Sequence, residues 1–489
     1  MINSNFKVKR LIKRNHFAKA IAIDNNKENQ ILSLDTQAWA YYNLGMYKTV
    51  ANFSSEGLES NGLFAKTVSL AACGEFEDSK KVLEIFMEGV GYKKDYVKLA
   101  DALAPFMPKL AFSILLNISS STTLYTSLLL NLGEFEKAHD FLSKAVSNKE
   151  YREKPELLLY LSNSLKDLEA KKQLTLVNKY LLHFKVPKIV LKERTQSLST
   201  LNIECEISKK TTGPLITIIM TTYKTGDRAD VAIESILKQS YQNIELIVVD
   251  DASDDETPLV VKEWMRRDNR VRLIQLKRNV GTYVAKNIAL VQAKGKYITC
   301  HDSDDWSHPL KIERQVRPLI RSWYLVATIS SWVRLSDDGT YYARPVHPLM
   351  RQNPSSLMFK KDIVLKKAGI WDCVRTGADS EYIARLKLVF GRKKIKRIKE
   401  PLSFGAHRND SLMTASDTGY SSKGMSPTRL DYWEAWGNWH IKELRAGRKP
   451  FISTDLLSKR KFDAAPSIMV DSISIETVLN NVSKQLDDE

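Results

Sequence analysis

Apolar residues follow two different spacings along this chain, and the change comes near residue 200. Before it they recur every three to four positions, the spacing of one buried helix face. One pattern returns: Ala38-Trp-Ala-Tyr-Tyr-Asn-Leu-Gly45, then Leu70-Ala-Ala-Cys-Gly74-Glu-Phe-Glu, then Leu129-Leu-Asn-Leu-Gly133-Glu-Phe-Glu. Gly45 to Gly74 spans 29 residues and Gly74 to Gly133 spans 59, close to two such periods. The unit between, around Leu99 to Leu115, carries Pro105 and Pro108 where the others carry glycine. Each unit sets a small-residue turn between two amphipathic helices, which bury their apolar faces only by stacking on neighbours. The expectation is an all-α helical-repeat domain over residues 1–205.

Ser208-Lys-Lys-Thr-Thr-Gly-Pro214 is a polar linker with chain breakers. Beyond it short β-branched runs alternate with helical patterns. Leu215–Thr222, Ile244–Asp250, Val271–Lys277 and Lys296–His301 read as strands. Asp230–Gln239, Glu256–Arg267 and Thr282–Ala293 read as the helices between them. Repeated β-α-β units imply a mostly parallel sheet covered on both faces, with ligands bound outside the carboxyl ends of the strands.

Those ends carry the chemistry. The first strand runs into Thr221-Thr-Tyr223-Lys-Thr-Gly, the second into Asp250-Asp251-Ala-Ser253, the third into Arg278-Asn279-Val-Gly281 and the fourth into Asp302-Ser-Asp304-Asp305-Trp306. Three carboxylates within four residues repel one another unless something positive sits among them. A hard divalent cation, Mg²⁺ or Mn²⁺, bridging to a diphosphate relieves that repulsion. The plainer alternative is that these acids cap the turn and helix that follow.

Composition and charge narrow the partners. The chain has 489 residues, 43% hydrophobic and 27% charged, a folded composition with room for two or three domains. Its formal net charge of +17 calls for anionic partners: nucleic acid, an acidic membrane surface or anionic small molecules. No usual nucleic-acid-binding motif is present, so nucleic acid is set aside. Cys73, Cys205, Cys300 and Cys373 lack any ligand-like spacing, which argues against a zinc site or disulfide framework and for a reducing compartment. No apolar run is long enough to span a bilayer, and the basic start lacks the apolar core of a secretory signal. A cytoplasmic location is expected, with residues 7–19 a candidate peripheral contact on the inner face of the plasma membrane or else a solvated first helix.

Taken together, Thr217-Ile-Ile-Met-Thr-Thr-Tyr223, Leu246-Ile-Val-Val-Asp-Asp-Ala-Ser253, Asn279–Ala289 and Asp302-Ser-Asp-Asp-Trp-Ser-His-Pro309 resemble the family 2 glycosyltransferases over about residues 214–412. The helical region resembles tetratricopeptide-type repeats, at a shorter period than is usual for them. The resemblance implies an α/β GT-A catalytic domain (Rossmann-like, with a mostly parallel sheet) at residues 213–420, followed by a helical extension and tail at residues 421–489. It implies an inverting, metal-dependent transfer from a UDP-linked sugar to a saccharide or lipid-linked saccharide acceptor, in bacterial-type surface polysaccharide synthesis. Thr221 and Tyr223 would line the nucleotide pocket, Asp251 would face the base with Asp250 beside it, and Lys286 would approach the nucleotide or its phosphates. Asp302 and Asp304 would form the metal-binding DxD element.

The resemblance also implies a carboxylate base on the acceptor hydroxyl. Asp379, six residues before Arg385, fits that segment, with Glu381 second because relatives often carry adjacent acids there. His407 would complete the metal shell and Arg408 would pair with phosphate oxygens. Trp371 is a candidate stacking platform for an acceptor sugar, or simply a core residue. Tyr432, Trp433, Trp436 and Trp439 mark one helix, read as docking onto the rest of the protein in preference to an interfacial anchor, and the last twenty residues read as loosely ordered. The helical array is expected to bind a partner protein or a long acceptor chain. Two other readings stay open: a sugar nucleotidyltransferase, and a repeat scaffold carrying an inactive transferase domain.

Overall fold

The computed structural model describes residues 2–24, 31–89, 93–116, 118, 121–165, 169–408, 419–421 and 424–487. Its first part is helical: α1 (Ile2–Lys13), α2 (Phe17–Asp24), α3 (Leu34–Asn43), α4 (Tyr47–Ala51), α5 (Ser60–Cys73), α6 (Phe76–Gly89) and α7 (Lys93–Leu103). There follow α8 (Pro108–Leu116), α9 (Thr122–Asn131), α10 (Phe135–Lys144), α11 (Asn148–Glu153), α12 (Leu157–Asn163) and α13 (Ala170–His183). The three repeated glycines stand between the members of α3/α4, α5/α6 and α9/α10, at φ of +77°, +86° and +80°. A left-handed residue ends a helix and frees the chain to reverse, and only glycine adopts it without steric cost. Pro105 and Pro108 mark the α7/α8 turn instead. Leu63, Val68, Leu83, Phe86, Leu99 and Leu103 from successive hairpins share one buried core.

The second part is built on a ten-stranded sheet. Its strands are β1 (Ile216–Thr222), β2 (Ile244–Asp250), β3 (Val271–Gln275), β4 (Tyr297–Asp302), β5 (Trp306–Ser307), β6 (Ala327–Ser336), β7 (Tyr341–Tyr342), β8 (Arg351–Gln352), β9 (Met358–Lys360) and β10 (Ile395–His407). The order is β3-β2-β1-β4-β9-β6-β10-β5, with β7 and β8 paired to β6. Strands β3, β2, β1 and β4 are parallel and β9 is antiparallel to both its neighbours. Helices α14 (Asp227–Leu237), α15 (Thr257–Arg267), α16 (Thr282–Gln292), α17 (Lys311–Arg321), α18 (Lys361–Ala368) and α19 (Ala378–Phe390) complete the GT-A-type α/β layer. The expected strands and helices are all present, their ends within a few residues of the sequence reading.

Register fixes the site. Thr222 pairs with Asp250, Asp250 with Gln275 and Thr221 with Asp302, so the four loops that follow leave one edge together.

The helical and sheet parts share packing. Leu142, Leu159, Tyr160 and Leu181 bury against Trp306, Val333 and Phe404 of the sheet. Asn163 exchanges hydrogen bonds with the Tyr341 backbone at 2.7 and 2.8 Å. Helix α20 (Pro427–Arg445) then ties the two ends of the chain. Trp433 donates Nε1–H to the Leu44 carbonyl at 2.7 Å, and Glu434 accepts from the Thr49 backbone at 3.0 Å and its hydroxyl at 2.6 Å. On its other side Tyr432 donates to Asp372 at 3.0 Å, and Trp436 and Trp439 are buried. The tryptophan stripe is a docking face, as favoured above.

One expectation fails. The C-terminal stretch is not loosely ordered: α21 (Ser472–Asp487) buries Ile475, Val478 and Val482 against the α16 and α19 core, and Gln485 donates to the Gln275 carbonyl at 2.8 Å. The spacing of three and four between those apolar residues carries the helix despite its polar neighbours. Among the described residues no helix is long and apolar enough to cross a membrane.

Gly45 couples the repeats to α20, because a Cβ there would meet Trp433 Nε1 at 2.5 Å on a backbone at φ +77°. Gly45→Ala is expected to cost about 1–3 kcal/mol of stability, measured by denaturant unfolding; an unchanged midpoint would contradict that coupling.

Candidate active site

Helix α16 is the hub. Its N-cap, Gly281, sits at φ +80° and donates its N–H to Asp251 Oδ2 at 2.7 Å, while Val280 N–H meets Oδ1 at 2.7 Å. The next residue, Thr282, hydrogen-bonds Thr221 hydroxyl to hydroxyl at 2.6 Å. Tyr283 donates its hydroxyl to Asp379 Oδ2 at 3.1 Å, and Lys286 Nζ lies 3.5 Å from the same oxygen. Within six residues, one helix start touches Asp251, the end of β1 and Asp379, the candidate base. Its dipole also favours an anion there.

The residues expected to line a nucleotide pocket differ in exposure. Asp250 and Asp251 are buried, and Tyr223 stands nearly half exposed at the mouth of the cleft. Burial pushes Asp251 up to about 6, against the pull of the Val280 and Gly281 N–H groups and Arg375. Burial raises Asp250 as well. Lys224 and Ala252, in the loops after β1 and β2, hold φ of +52° and +64°, a conformation that non-glycine residues adopt at a cost.

Asp302 and Asp304 flank the exit of β4. Burial raises the Asp304 carboxyl, Asp302 adds to the rise, and Arg408, Arg334 and Arg228 oppose it. Arg408 Nε lies 3.1 Å from Asp304 Oδ2. Asp305 is buried and accepts from Ala406 N–H at 3.0 Å. Among the described residues no three His, Cys, Asp or Glu side chains form a ready-made metal cage. Two carboxylates fit a small hard cation that takes the rest of its shell from phosphate and water. His407, expected in the metal set, keeps its ring Nδ1 buried without a hydrogen-bond partner among the described residues. Its ring stacks on Tyr342 at 3.7 Å between centroids and 6° between planes, and burial with Arg334 holds it down to about 4.

Three further expectations are corrected. Lys286 is buried and belongs to Asp379, not to a phosphate: burial pulls its pKa down, but Asp379, Cys300 and Asp302 outweigh that and keep it charged. Trp371 is no stacking platform. It is buried between Phe359 and Tyr382 and donates Nε1–H to Asp379 Oδ1 at 3.1 Å. Glu381 cannot be the base, because it is fully buried and held by Arg385 at 2.7 and 2.9 Å and by His440 at 2.9 Å. Asp379 therefore has three donors around it and keeps some exposure, its side chain 18% accessible.

Sequence reasoning missed Tyr283, Thr282 and Arg375, which pairs with Asn279 at 2.5 Å. The signal for Tyr283 was its spacing of three from Lys286, which puts both on one face of α16. Two cavities, of about 460 and 750 Å³, lie apart from this cleft, one beside Asp372 and Arg460 and one between Glu156, Tyr180 and Arg351.

Residues 217–378 match the family model for glycosyl transferase family 2. They form a family 2 glycosyl transferase domain. This transferase domain carries the likeness to curated relatives. An uncharacterised glycosyltransferase of Haemophilus influenzae is 42% identical over 126 residues, 26% of this chain and 50% of that one. The putative teichuronic acid biosynthesis glycosyltransferase TuaG of Bacillus subtilis is 29% identical over 175 residues, 36% of this chain and 66% of that one. The succinoglycan biosynthesis protein ExoO of Rhizobium meliloti is 40% identical over 103 residues, 21% of this chain and 29% of that one. The chain thus spans about half the length of the first of these relatives. Among solved structures, S. aureus TarS 1-349 in complex with UDP-GlcNAc is similar at 18% identity and a TM-score of 0.37, over 47% of this chain and 65% of that one.

Two outcomes test the domain's electrostatics. Arg385→Ala leaves Glu381 a buried charge without its main partner and is expected to cost about 3–5 kcal/mol by denaturant unfolding; a loss under 1 kcal/mol would contradict the pairing. Asp251 binds its proton more tightly folded, near 6, than an unfolded aspartate near 3.9. The stability it supplies is present below about pH 4 and is lost as pH rises through about 6. Stability followed from pH 4 to 7 should therefore fall in the native protein relative to Asp251→Asn, and a constant difference between the two would contradict a raised Asp251.

Proposed function

We propose that this protein is an inverting, metal-dependent glycosyltransferase that moves a sugar from a nucleoside diphosphate, UDP by the family resemblance, onto a saccharide acceptor in surface polysaccharide synthesis. The observation that carries this reading is the grouping around α16: Asp251 for the base, the Thr221–Thr282 pair at the end of β1, Asp302 one strand away, and Asp379 beyond Lys286.

Asp379 takes the proton of the acceptor hydroxyl as that oxygen bonds to the anomeric carbon, and the bond from that carbon to the diphosphate oxygen breaks. Trp371, Tyr283 and Lys286 orient the carboxylate toward the acceptor. Asp302 and Asp304 would hold Mn²⁺ or Mg²⁺, which when bound would offset charge on the departing nucleoside diphosphate. Arg408 beside Asp304 would add to that offset. The names of TuaG and ExoO, as polysaccharide biosynthesis proteins, support the choice of acceptor class. The helical array would bring a partner protein or hold the rest of a long acceptor, since its stacked hairpins offer an extended surface.

Asp379→Asn is expected to lower kcat by about 10²–10⁴-fold while leaving UDP affinity within a few fold, by UDP-release assay and calorimetry. Equal turnover would remove Asp379 from the reaction. Release of pyrophosphate in place of UDP would favour a nucleotidyltransferase.

A further inference from the structure

One face of the protein carries an aromatic side chain almost wholly in water. Trp323 is 92% exposed, between Ile320 at 45% and Tyr324 at 39%. These residues lie where α17 ends and just before β6 begins, at the edge of the sheet opposite the catalytic loops. Isolated exposed leucines are ordinary, but a Trp-Tyr pair left outside the core marks a surface meant to be covered.

The surroundings are basic. Residues 387–399 hold seven cations and no acid; of the three cations in residues 314–324, Arg314 pairs with Glu400 at 3.8 Å and Arg317 with Glu313 at 3.9 Å, and Arg321 adds to the basic face. Lys394 Nζ stands 5.2 Å from the Tyr324 ring centroid, and its carbonyl accepts from Val326 N–H at 2.9 Å. Lys360 Nζ donates to the Ser322 carbonyl at 2.9 Å, with Lys296 close by. The face continues onto the helical part. Leu388 of α19 packs on the core of α1 and α2 with Val8 and Phe17, and Arg392 just beyond it joins burial, Lys19 and Arg14 in holding the His16 imidazole below its usual value. Residues 7–19 add six cations and no acid, and Phe6 ahead of them is 70% exposed.

We infer that this face docks on an anionic phospholipid surface, with Trp323 and Tyr324 at the headgroup level and Arg392, Lys393, Lys394 and the α1 cations on acidic lipid. Amphipathic aromatic rings settle at that depth, and lysine or arginine beside them adds attraction to acidic headgroups. The Trp433–Trp439 stripe is excluded from the role because it is consumed in docking α20. The catalytic loops then point away from the bilayer. One seven-residue strand separates the two edges, so the cleft stands roughly 20 Å above the lipid. Under the transferase reading proposed above, this orientation suits the growing end of an extended saccharide better than a sugar at headgroup height.

The test is co-flotation of the full-length protein with phosphatidylcholine vesicles and with vesicles containing 30% phosphatidylglycerol, with no sugar donor present, so that it stands or falls apart from catalysis. Binding is expected only to the acidic vesicles. It should weaken about tenfold in Trp323→Ala and about a hundredfold in the triple variant Arg392→Gln, Lys393→Gln, Lys394→Gln, each with the thermal unfolding of the native protein. Absence of binding to acidic vesicles, equal binding to neutral ones, or binding indifferent to these variants would overturn the inference. Heparin or duplex DNA competing at stoichiometric amounts while Trp323→Ala binds normally would assign the face to a polyanion and overturn it too.

Discussion

Carboxylates crowded at the exit edge of a buried parallel sheet are the constraint around which this protein is arranged. Asp250, Asp251, Asp302, Asp304 and Asp305 all follow apolar strands, where ionised oxygens are expensive unless donors or cations meet them. The fold meets them one by one. Backbone N–H groups at the start of α16 cap Asp251, Arg408 approaches Asp304, and Ala406 N–H reaches Asp305. Asp302 stands beside Asp304 at the same strand exit, and there a divalent ion and a diphosphate would complete the balance in the proposed reaction.

The same logic separates Asp379 from Glu381, two residues apart on α19. Glu381 points inward and spends its charge on Arg385 and His440, which binds α19 to α20 and through α20 to the helical hairpins. Asp379 points to the cleft and is held by donors from α16 and from Trp371. One acid is structural and its neighbour is the candidate base of the proposed reaction. The difference lies in which way one turn of helix faces, and it links the stability of the α19–α20 junction to the aim of the base candidate.

Much of this was legible in the sequence. Alternating β-branched runs and helical patterns gave the strand ends, and the strand ends gave Asp251, Asp302 and Asp304, because parallel topology brings every such end to one edge. The glycine period announced the hairpins, since a left-handed turn accepts little else. Side-chain direction was less accessible. Trp371 was left open between an acceptor platform and the core, and Lys286 was assigned to the nucleotide although it is buried, because a motif position does not say which long-range neighbour fills the space beside it. The stacking of His407 on Tyr342 was hidden for a similar reason: Tyr342 arrives from a distant hairpin. The order of α21 was missed because three apolar residues at helical spacing are faint in a polar tail, yet the groove beside α16 and α19 buries all three.

The central claim is that these acids act together on one donor. Anomalous diffraction at the manganese edge from crystals soaked with Mn²⁺ and UDP tests it most directly. The account predicts one manganese peak within about 2.2 Å of Asp302 or Asp304 oxygens and of the diphosphate, with the uracil beside Asp251. Manganese and nucleotide bound elsewhere, or uracil far from Asp251 with the metal away from both aspartates, would contradict it.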